Sequence, residues 1–446
     1  MVADTIAAIA TPPGIGGVCI IRISGQQALS IAQGLTGRET FLPRRAYLAT
    51  FKDKQAEVID QGIVLYFSAP NSFTGEDVVE LQGHGGIAVA HSLLEACFQA
   101  GARPAEGGEF TRRAFLNDKL DLAQAEAVAD LISARSNAAL KAANRSLQGE
   151  FSKIVYQLAE EILALRVYIE AALDFPEEEI DFLTEGDVEA KLIAWGEKLN
   201  QLLTRTTQGQ LINEGIDMVL AGKPNAGKSS LLNALAGEDR AIVTEQAGTT
   251  RDIVKETLII EGMPVNVLDT AGLRESTDIV EQEGIRRSRE AIAKADIIAL
   301  LIAIDDQSNS DELFKELTAL ANNTPIICLY NKADLLADSD KSIRKKGIFL
   351  SAKTGEGVDD VRKAIAETVG RTHHEQPFIA RQRHLTALKT AQQYYLNALK
   401  QLQNYHAGEL VADDLRLAHD ALGEITGKVR SDDLLGEIFS GFCIGK

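Results

Sequence analysis

The segment Gly222-Lys223-Pro224-Asn225-Ala226-Gly227-Lys228-Ser229 has the spacing G-x-x-x-x-G-K-S. Its glycines let a backbone curl around phosphate oxygens so that successive N–H groups point inward. Lys228 can then bridge β- and γ-phosphate oxygens, and Ser229 can ligate Mg²⁺. A strand is predicted over 216–221 and a helix over 230–235, starting at Ser230, so the phosphates would meet a helix N-terminus. By chance this pattern arises in on the order of 1 in 50 chains of this length, and the strand and helix on either side remove most of those. Three more segments follow, each where a predicted strand ends: Asp269-Thr270-Ala271-Gly272, Asn331-Lys332-Ala333-Asp334 and Ser351-Ala352-Lys353. Asp269 suits Mg²⁺ through a water, and the Gly272 N–H suits a γ-phosphate. The polar loop Gly248-Thr249-Thr250 offers a threonine to the same ion.

The last two segments select the base. Guanine presents its N1–H and exocyclic amine side by side, and the Asp334 carboxylate can accept both. Adenine would leave that carboxylate facing an acceptor, which is costly in a dry site. Lys332 can cover the ring face, and the Ala352 N–H can meet the guanine O6. The order of these segments resembles the small GTPase superfamily. The residue after Asp-Thr-Ala-Gly, where many GTPases carry a glutamine that orients the attacking water, is Leu273. Another group must orient it, and Arg274, Glu275, Glu281 and Glu283 are the nearby candidates.

The elements that hold these residues divide the chain. Its 446 residues exceed one ordinary core and predict two to three domains. Residues 1–118 mix strand-like runs (18–23, 62–67), a helix (92–99) and dense turn signals, as in an α/β domain. From Lys119 to 212 long helices are expected. Phe151, Val155, Leu158, Ile162, Leu165 and Ile169 form one apolar stripe, and an acidic break from Asp174 to Glu179 ends that helix. Residues 213–372 alternate strand and helix as in a doubly wound sheet, and 373–446 return to helix. The fold class expected is therefore multidomain: an N-terminal α/β domain, a discontinuous helical domain (119–212 and 373–446) and an inserted Ras-like G domain (213–372).

Cys19, Cys97, Cys328 and Cys443 show no paired spacing, so neither a disulfide framework nor a zinc site is expected, and the first three read as buried small hydrophobes. The adjacent His373 and His374 read as interdomain link. No apolar run is long enough to span a bilayer, and no targeting segment opens the chain, so a cytoplasmic, bacterial protein is expected. The net charge of −18 repels nucleic acid on average, so such a partner would need a local basic patch or a second protein.

Further segments narrow the family. They are Ala10-Thr11-Pro12-Pro13-Gly14-Ile15-Gly16-Gly17, Ile21-Arg22-Ile23-Ser24-Gly25, Phe73-Thr74-Gly75-Glu76-Asp77, Glu80-Leu81-Gln82-Gly83-His84-Gly85-Gly86, Arg113 through Leu122, and the tail Phe442-Cys443-Ile444-Gly445-Lys446. Over essentially the whole chain the sequence resembles the MnmE (TrmE) family of tRNA modification GTPases. The resemblance implies a homodimer formed by the N-terminal domain and a FAD-dependent partner of the MnmG type, in a heterotetramer or larger complex. Together they would install an aminomethyl or carboxymethylaminomethyl group at C5 of the wobble uridine, position 34, of certain tRNAs. The one-carbon unit would come from a tetrahydrofolate derivative (the 5-formyl or methylene form), whose pocket the resemblance assigns to Arg22, Glu80, Lys119 and Lys446. It assigns K⁺ to Asn225, Thr244, Gln246 and Thr249, and Mg²⁺ to Ser229 and Thr250. It extends the GTP/GDP site over Thr244-Glu245-Gln246-Ala247-Gly248-Thr249-Thr250. It selects Glu281 to position the water, with Arg274 a second candidate. Cys443 would lie near the folate and affect modification; a prenylation box is rejected, because Gly445 is not aliphatic and Lys446 is a poor last residue. The competing reading is a ribosome-assembly or signalling GTPase without covalent RNA chemistry. That class would be expected to carry a basic RNA-binding module, which is not evident here.

Overall fold

A run that alternates apolar and polar residues can bury only one face. In the computed structural model, such runs in the N-terminal region meet in one sheet, and the near-continuous apolar runs farther along meet in another. The structure describes residues 4–174, 187–236, 255–269, 289–305, 310–321, 324–336, 347–370, 378–405, 407–428, 435–436, 438–439, 442 and 445. The chain divides into two compact units. One comprises Met1–Ala129, Ser146–Glu189 and Tyr394–Lys446; the other comprises Asp130–Arg145 and Ala190–Gln393.

The first unit carries a six-stranded sheet in the order β3-β4-β5-β2-β1-β6. Its strands are β1 (Ile6–Ile9), β2 (Cys19–Ser24), β3 (Tyr47–Lys52), β4 (Val58–Phe67), β5 (Val78–Gly83) and β6 (Arg103–Pro104). All neighbours are antiparallel except β1 and β6. Helices α1 (Ala28–Thr36) and α2 (Ile87–Gln99) cover one face, where Cys19, Ile21 and Ile23 of β2 and Val79 and Leu81 of β5 form the core. The alternate residues of those strands, Arg22 and Glu80 among them, face the other way. Helix α3 (Glu109–Leu116) places Phe110 against Ile6 and Ala8.

Helices follow as the sequence predicts: α4 (Leu122–Ser133), α5 (Asn137–Leu147), α6 (Glu150–Asp174) and α7 (Val188–Glu214). The six-residue stripe of α6 is buried throughout, and its helix packs along α12 (Gly408–Thr426). Strand β4 begins four residues before the expected 62, and α2 starts five residues before the expected 92. Local composition blurs such boundaries. Cys19 and Cys97 are buried as expected, whereas Cys328 is only half-buried, a correction that follows from its place near the rim of its sheet.

The second unit holds α7 and a sheet ordered β12-β11-β10-β7-β9-β8. These strands are β7 (Ile216–Gly222), β8 (Lys255–Ile260), β9 (Met263–Asp269), β10 (Ile297–Ala303), β11 (Ile326–Asn331) and β12 (Ile348–Phe349). Only β8, joined to β9 through Glu261-Gly262, runs antiparallel. Helices α8 (Lys228–Ala236), α9 (Ser310–Leu320) and α10 (Val358–Thr368) belong to this unit. Every residue of β10 is buried, which is why its run reads as continuously apolar. In α7, Trp195 is 3% exposed, and Gly209 lies so close to the Phe378 carbonyl that a side chain there would collide with it. The segment 378–380 then enters α11 (Gln382–Tyr405).

Candidate functional site

Strand β7 has β9 on one side and β10 on the other, so the chain reverses its winding direction there. In open α/β sheets ligands bind at such a point, beyond the carboxyl ends of the strands. The phosphate-loop segment leaves β7 at this point. Gly222 has φ 156° and packs against the Leu301 carbonyl, where a Cβ would come within 2.5 Å. Gly227 has φ 96°, and a Cβ there would collide with the Asn331 amide. Both glycines are therefore required by close approach as well as by backbone conformation. Asn225 also takes a left-handed conformation, at φ 63°. Lys228 opens α8, and its Nζ donates to the Gly222 carbonyl at 2.8 Å, so the ammonium lies across the loop. Ser229 and Ser230 occupy the next two positions of α8 and are exposed; Ala226 is buried.

The segments expected to read the base converge on this loop through one buried side chain. Asn331, at the end of β11, is 3% exposed. Its Nδ2 donates to the Ala226 carbonyl at 2.8 Å, and its Oδ1 accepts from the Ala352 N–H at 3.0 Å. One amide thus links the phosphate loop to the Ser351-Ala352-Lys353 turn. Ser351 is buried and donates from Oγ to Asp334 Oδ1 at 2.6 Å. That hydrogen bond is the main reason the Asp334 carboxyl lies below its ordinary range, with the charges of Lys353 and Lys332 adding to it. An ionised, oriented carboxylate is what a paired N1–H and amine require. Lys332, at φ 66°, is held by both oxygens of Asp305, at 2.8 and 3.0 Å. A cavity of about 190 Å³ is lined by Asn225, Ala226, Asp305 and Lys332 among others.

Asp305, which no motif in the sequence singles out, joins this candidate site through its contact with Lys332. Its position just beyond the carboxyl end of β10 is the signal that marks such residues in α/β sheets. Asp269 closes β9, whose Asp269 is paired in register with Leu220 of β7, beside the phosphate loop. The donor types at Ser229 and Asp269 suit a hard divalent cation. Thr244, Glu245, Gln246, Ala247, Gly248, Thr249, Thr250, Thr270, Ala271, Gly272, Leu273, Arg274, Glu281, Cys443 and Lys446 lie outside the described residues.

In the first unit, Arg22 and Glu80 are direct cross-strand partners. Arg22 Nη2 donates to Glu80 Oε1 at 2.9 Å, and the guanidinium lies 5.9 Å from the Phe110 ring centroid. Arg22 Nη1 also donates to the carbonyl of Gly445, in the chain's tail, at 3.4 Å. Lys119 instead donates to the Pro70 carbonyl at 3.0 Å. The structure thus pairs two of the expected folate residues, joins one of them, Arg22, to the tail, and places the third at the Pro70 turn.

Beside them lies a charge network. Arg113 donates to Asp4 and Glu109 at 2.9 Å and to Glu76 at 3.0 Å, and Arg103 binds both Asp4 and Glu109. Burial pushes the Glu109 carboxyl up, but Arg103 and Arg113 outweigh it and hold the group below its ordinary range. Glu76 in turn accepts from Ser24 Oγ at 2.8 Å. The network ties the Phe73–Asp77 segment to α3.

Comparison with known proteins bears on the whole chain. The profile of the GTP-binding protein TrmE N-terminus matches residues 5–119, and that of the MnmE helical domain matches residues 122–443. The tRNA modification GTPase MnmE of Dichelobacter nodosus is 62% identical over 449 residues, covering 99% of each chain. The chain belongs to the MnmE family of tRNA modification GTPases. MnmE proteins of Legionella pneumophila (strain Paris) and Nitrosomonas europaea are each 52% identical, again over 99% of both chains. Among solved structures, the G domain of the T. maritima FeoB iron transporter is 27% identical, covering 34% of this chain and 98% of its own, with a TM-score of 0.27. Like the expected MnmE architecture, the chain combines two mixed sheets with long helices. No helix among the described residues is long and apolar enough to cross a membrane.

Proposed function

We infer that this tRNA modification GTPase couples K⁺-dependent GTP hydrolysis to one-carbon chemistry at C5 of the wobble uridine. Support for the nucleotide half rests chiefly on Asn331, which fastens the phosphate loop to the turn carrying the guanine contacts. In this reading the loop N–H groups and Lys228 bind the phosphates, and Asp334, Lys332 and Ala352 select guanine. Mg²⁺, held by Ser229, Thr250 and water on Asp269, would neutralise charge that develops on the phosphates. K⁺ at Asn225, Thr244, Gln246 and Thr249 would act where other GTPases use an arginine. Glu281 would orient the water, the role that Leu273 cannot fill.

The Arg22–Glu80 pair beside the Gly445 carbonyl supports the folate half, with Lys119, Lys446 and Cys443 completing that site. A guanidinium suits the glutamate tail of a folate and a carboxylate suits its pterin edge. The partition into residues 1–118, 119–212 with 373–446, and 213–372 belongs to the same reading. So do a homodimer made by the first of these, a FAD-dependent MnmG-type partner that supplies the redox step, and a cytoplasmic setting.

The test is nucleoside mass spectrometry of bulk tRNA from cells with and without the gene. C5-aminomethyl-type wobble uridines are expected to disappear on deletion. Wild type should restore them and Glu281→Ala should not. An unchanged profile would discard the modification chemistry and leave a GTPase of another kind.

A further inference from the structure

A chain with a net charge of −18 must present a local cationic surface if it touches a polyanion directly. Many arginines of the described residues face carboxylates, as in the Arg103–Arg113 network. The loop between α1 and β3 differs. Arg38, Arg44 and Arg45 are all exposed, and among the described residues none has a carboxylate within ion-pair distance. Glu39, the one acid between Gly37 and Ala46, forms no ion pair with any of them.

The three are not loose. The Arg38 guanidinium lies 4.2 Å from the Tyr47 ring centroid and its Nε donates to the Thr40 carbonyl at 2.9 Å. The Arg45 guanidinium lies 5.8 Å from the same ring. Arg44 has φ 60°, and its Nη2 donates to the Asn71 carbonyl at 3.1 Å. Tyr47 is fixed in turn: its hydroxyl accepts the Leu42 N–H at 3.1 Å and its ring meets Phe41 edge-on at 5.3 Å. Two like charges are therefore held on one aromatic ring with no counter-ion, and a third is anchored close by in sequence. Lys52, which ends β3, and Lys54 just beyond it are exposed on the same edge of the sheet, but they alternate with Asp53 and precede Glu57, so the cationic face is confined to the three arginines. Charges that merely guard an edge strand against self-pairing belong on the strand. These arginines precede β3, and Arg38 and Arg45 stack on its first residue.

We propose that the Arg38–Arg44–Arg45 face contacts the phosphate backbone of the tRNA substrate. This rests on the chain's being a tRNA modification GTPase. Guanidinium forks match phosphate geometry, and pre-stacked side chains lose less freedom on binding. Such contacts position the RNA and carry no base specificity.

The experiment titrates unmodified tRNA into the full-length chain by fluorescence anisotropy across a salt series. It uses wild type, the triple variant Arg38→Gln/Arg44→Asn/Arg45→Gln, and the charge-keeping variant Arg38→Lys/Arg45→Lys. The triple variant is expected to bind about 10-fold more weakly, with the slope of log affinity against log salt shallower by about 2. The lysine variant should keep the wild-type slope. Far-ultraviolet circular dichroism, the melting transition of the first unit and the sedimentation mass should be unchanged in both, which shows that the unit carrying the face still folds. Equal tRNA affinity and slope in triple variant and wild type would overturn the proposal. A changed mass would overturn it too, because the face would then be a contact between copies of the chain. If wild type itself binds no tRNA and deleting the gene leaves the nucleosides unchanged, the tRNA reading fails along with the proposal. Altered nucleosides with an insensitive triple variant would confine the failure to this face.

Discussion

At the scale of residues, the proposed discrimination between bases rests on Asp334. Replacing it with asparagine puts an amide donor against the guanine N1–H and exocyclic amine, whereas xanthine has an oxygen at that edge. Asp334→Asn is expected to weaken GTP binding roughly 100-fold or more, and to favour xanthosine triphosphate. Competition titrations against a fluorescent nucleotide measure both, and unchanged GTP affinity would remove Asp334 from the base site. Because the Ser351 hydrogen bond lowers its pKa, this carboxylate stays charged below the usual aspartate range.

Glu109 gives a stability prediction. Its folded pKa lies below its ordinary 4.5, so its contribution is complete above that value and is lost as the pH falls through the folded one. Urea midpoints of the first unit should therefore decline below about pH 5, and Glu109→Gln should flatten the decline. Asn331, Asp334 and Lys228 were legible in sequence because local spacing defines their motifs. The role of Asp305 toward Lys332 was not, nor was the Arg113 network, whose members lie up to 109 residues apart. No local pattern encodes partners at that distance.

At the scale of elements, Gly209 is the sharpest constraint. It sits inside α7, where glycine is otherwise costly, and it admits the Phe378 carbonyl. Arg205, one turn earlier, lies 4.1 Å from the Phe378 ring centroid. Gly209→Ala would gain helix propensity of about 1 kcal/mol but must push the 378–380 segment away. A net loss of about 2–3 kcal/mol is expected in chemical denaturation. A stabilised variant would show that the segment yields freely. The stripe of α6 and the fully apolar β10 were readable because each follows one period or one burial state along its length. Strand β3 was not: its exposed Leu48 and half-buried neighbours give neither clean alternation nor a continuous apolar run, so it emerges only by pairing with β4.

At the scale of the molecule, two compact units with separate sheets and cores predict two calorimetric transitions. The phosphate loop and the guanine segments belong to the second unit, so GDP at 100 times its Kd should stabilise that transition by about 2.7 kcal/mol and leave the other in place. A single transition, or an equal shift of both, would mean that the units melt cooperatively. The chain offers a probe for deciding between these outcomes. Trp195 is its only tryptophan, and it is buried in α7 of the second unit. Its emission should be blue-shifted in the folded chain and move to the red when that unit alone opens, whereas seven of the chain's eight tyrosines lie in the first unit. Comparing tryptophan emission with far-ultraviolet circular dichroism therefore assigns each transition to its unit without any label.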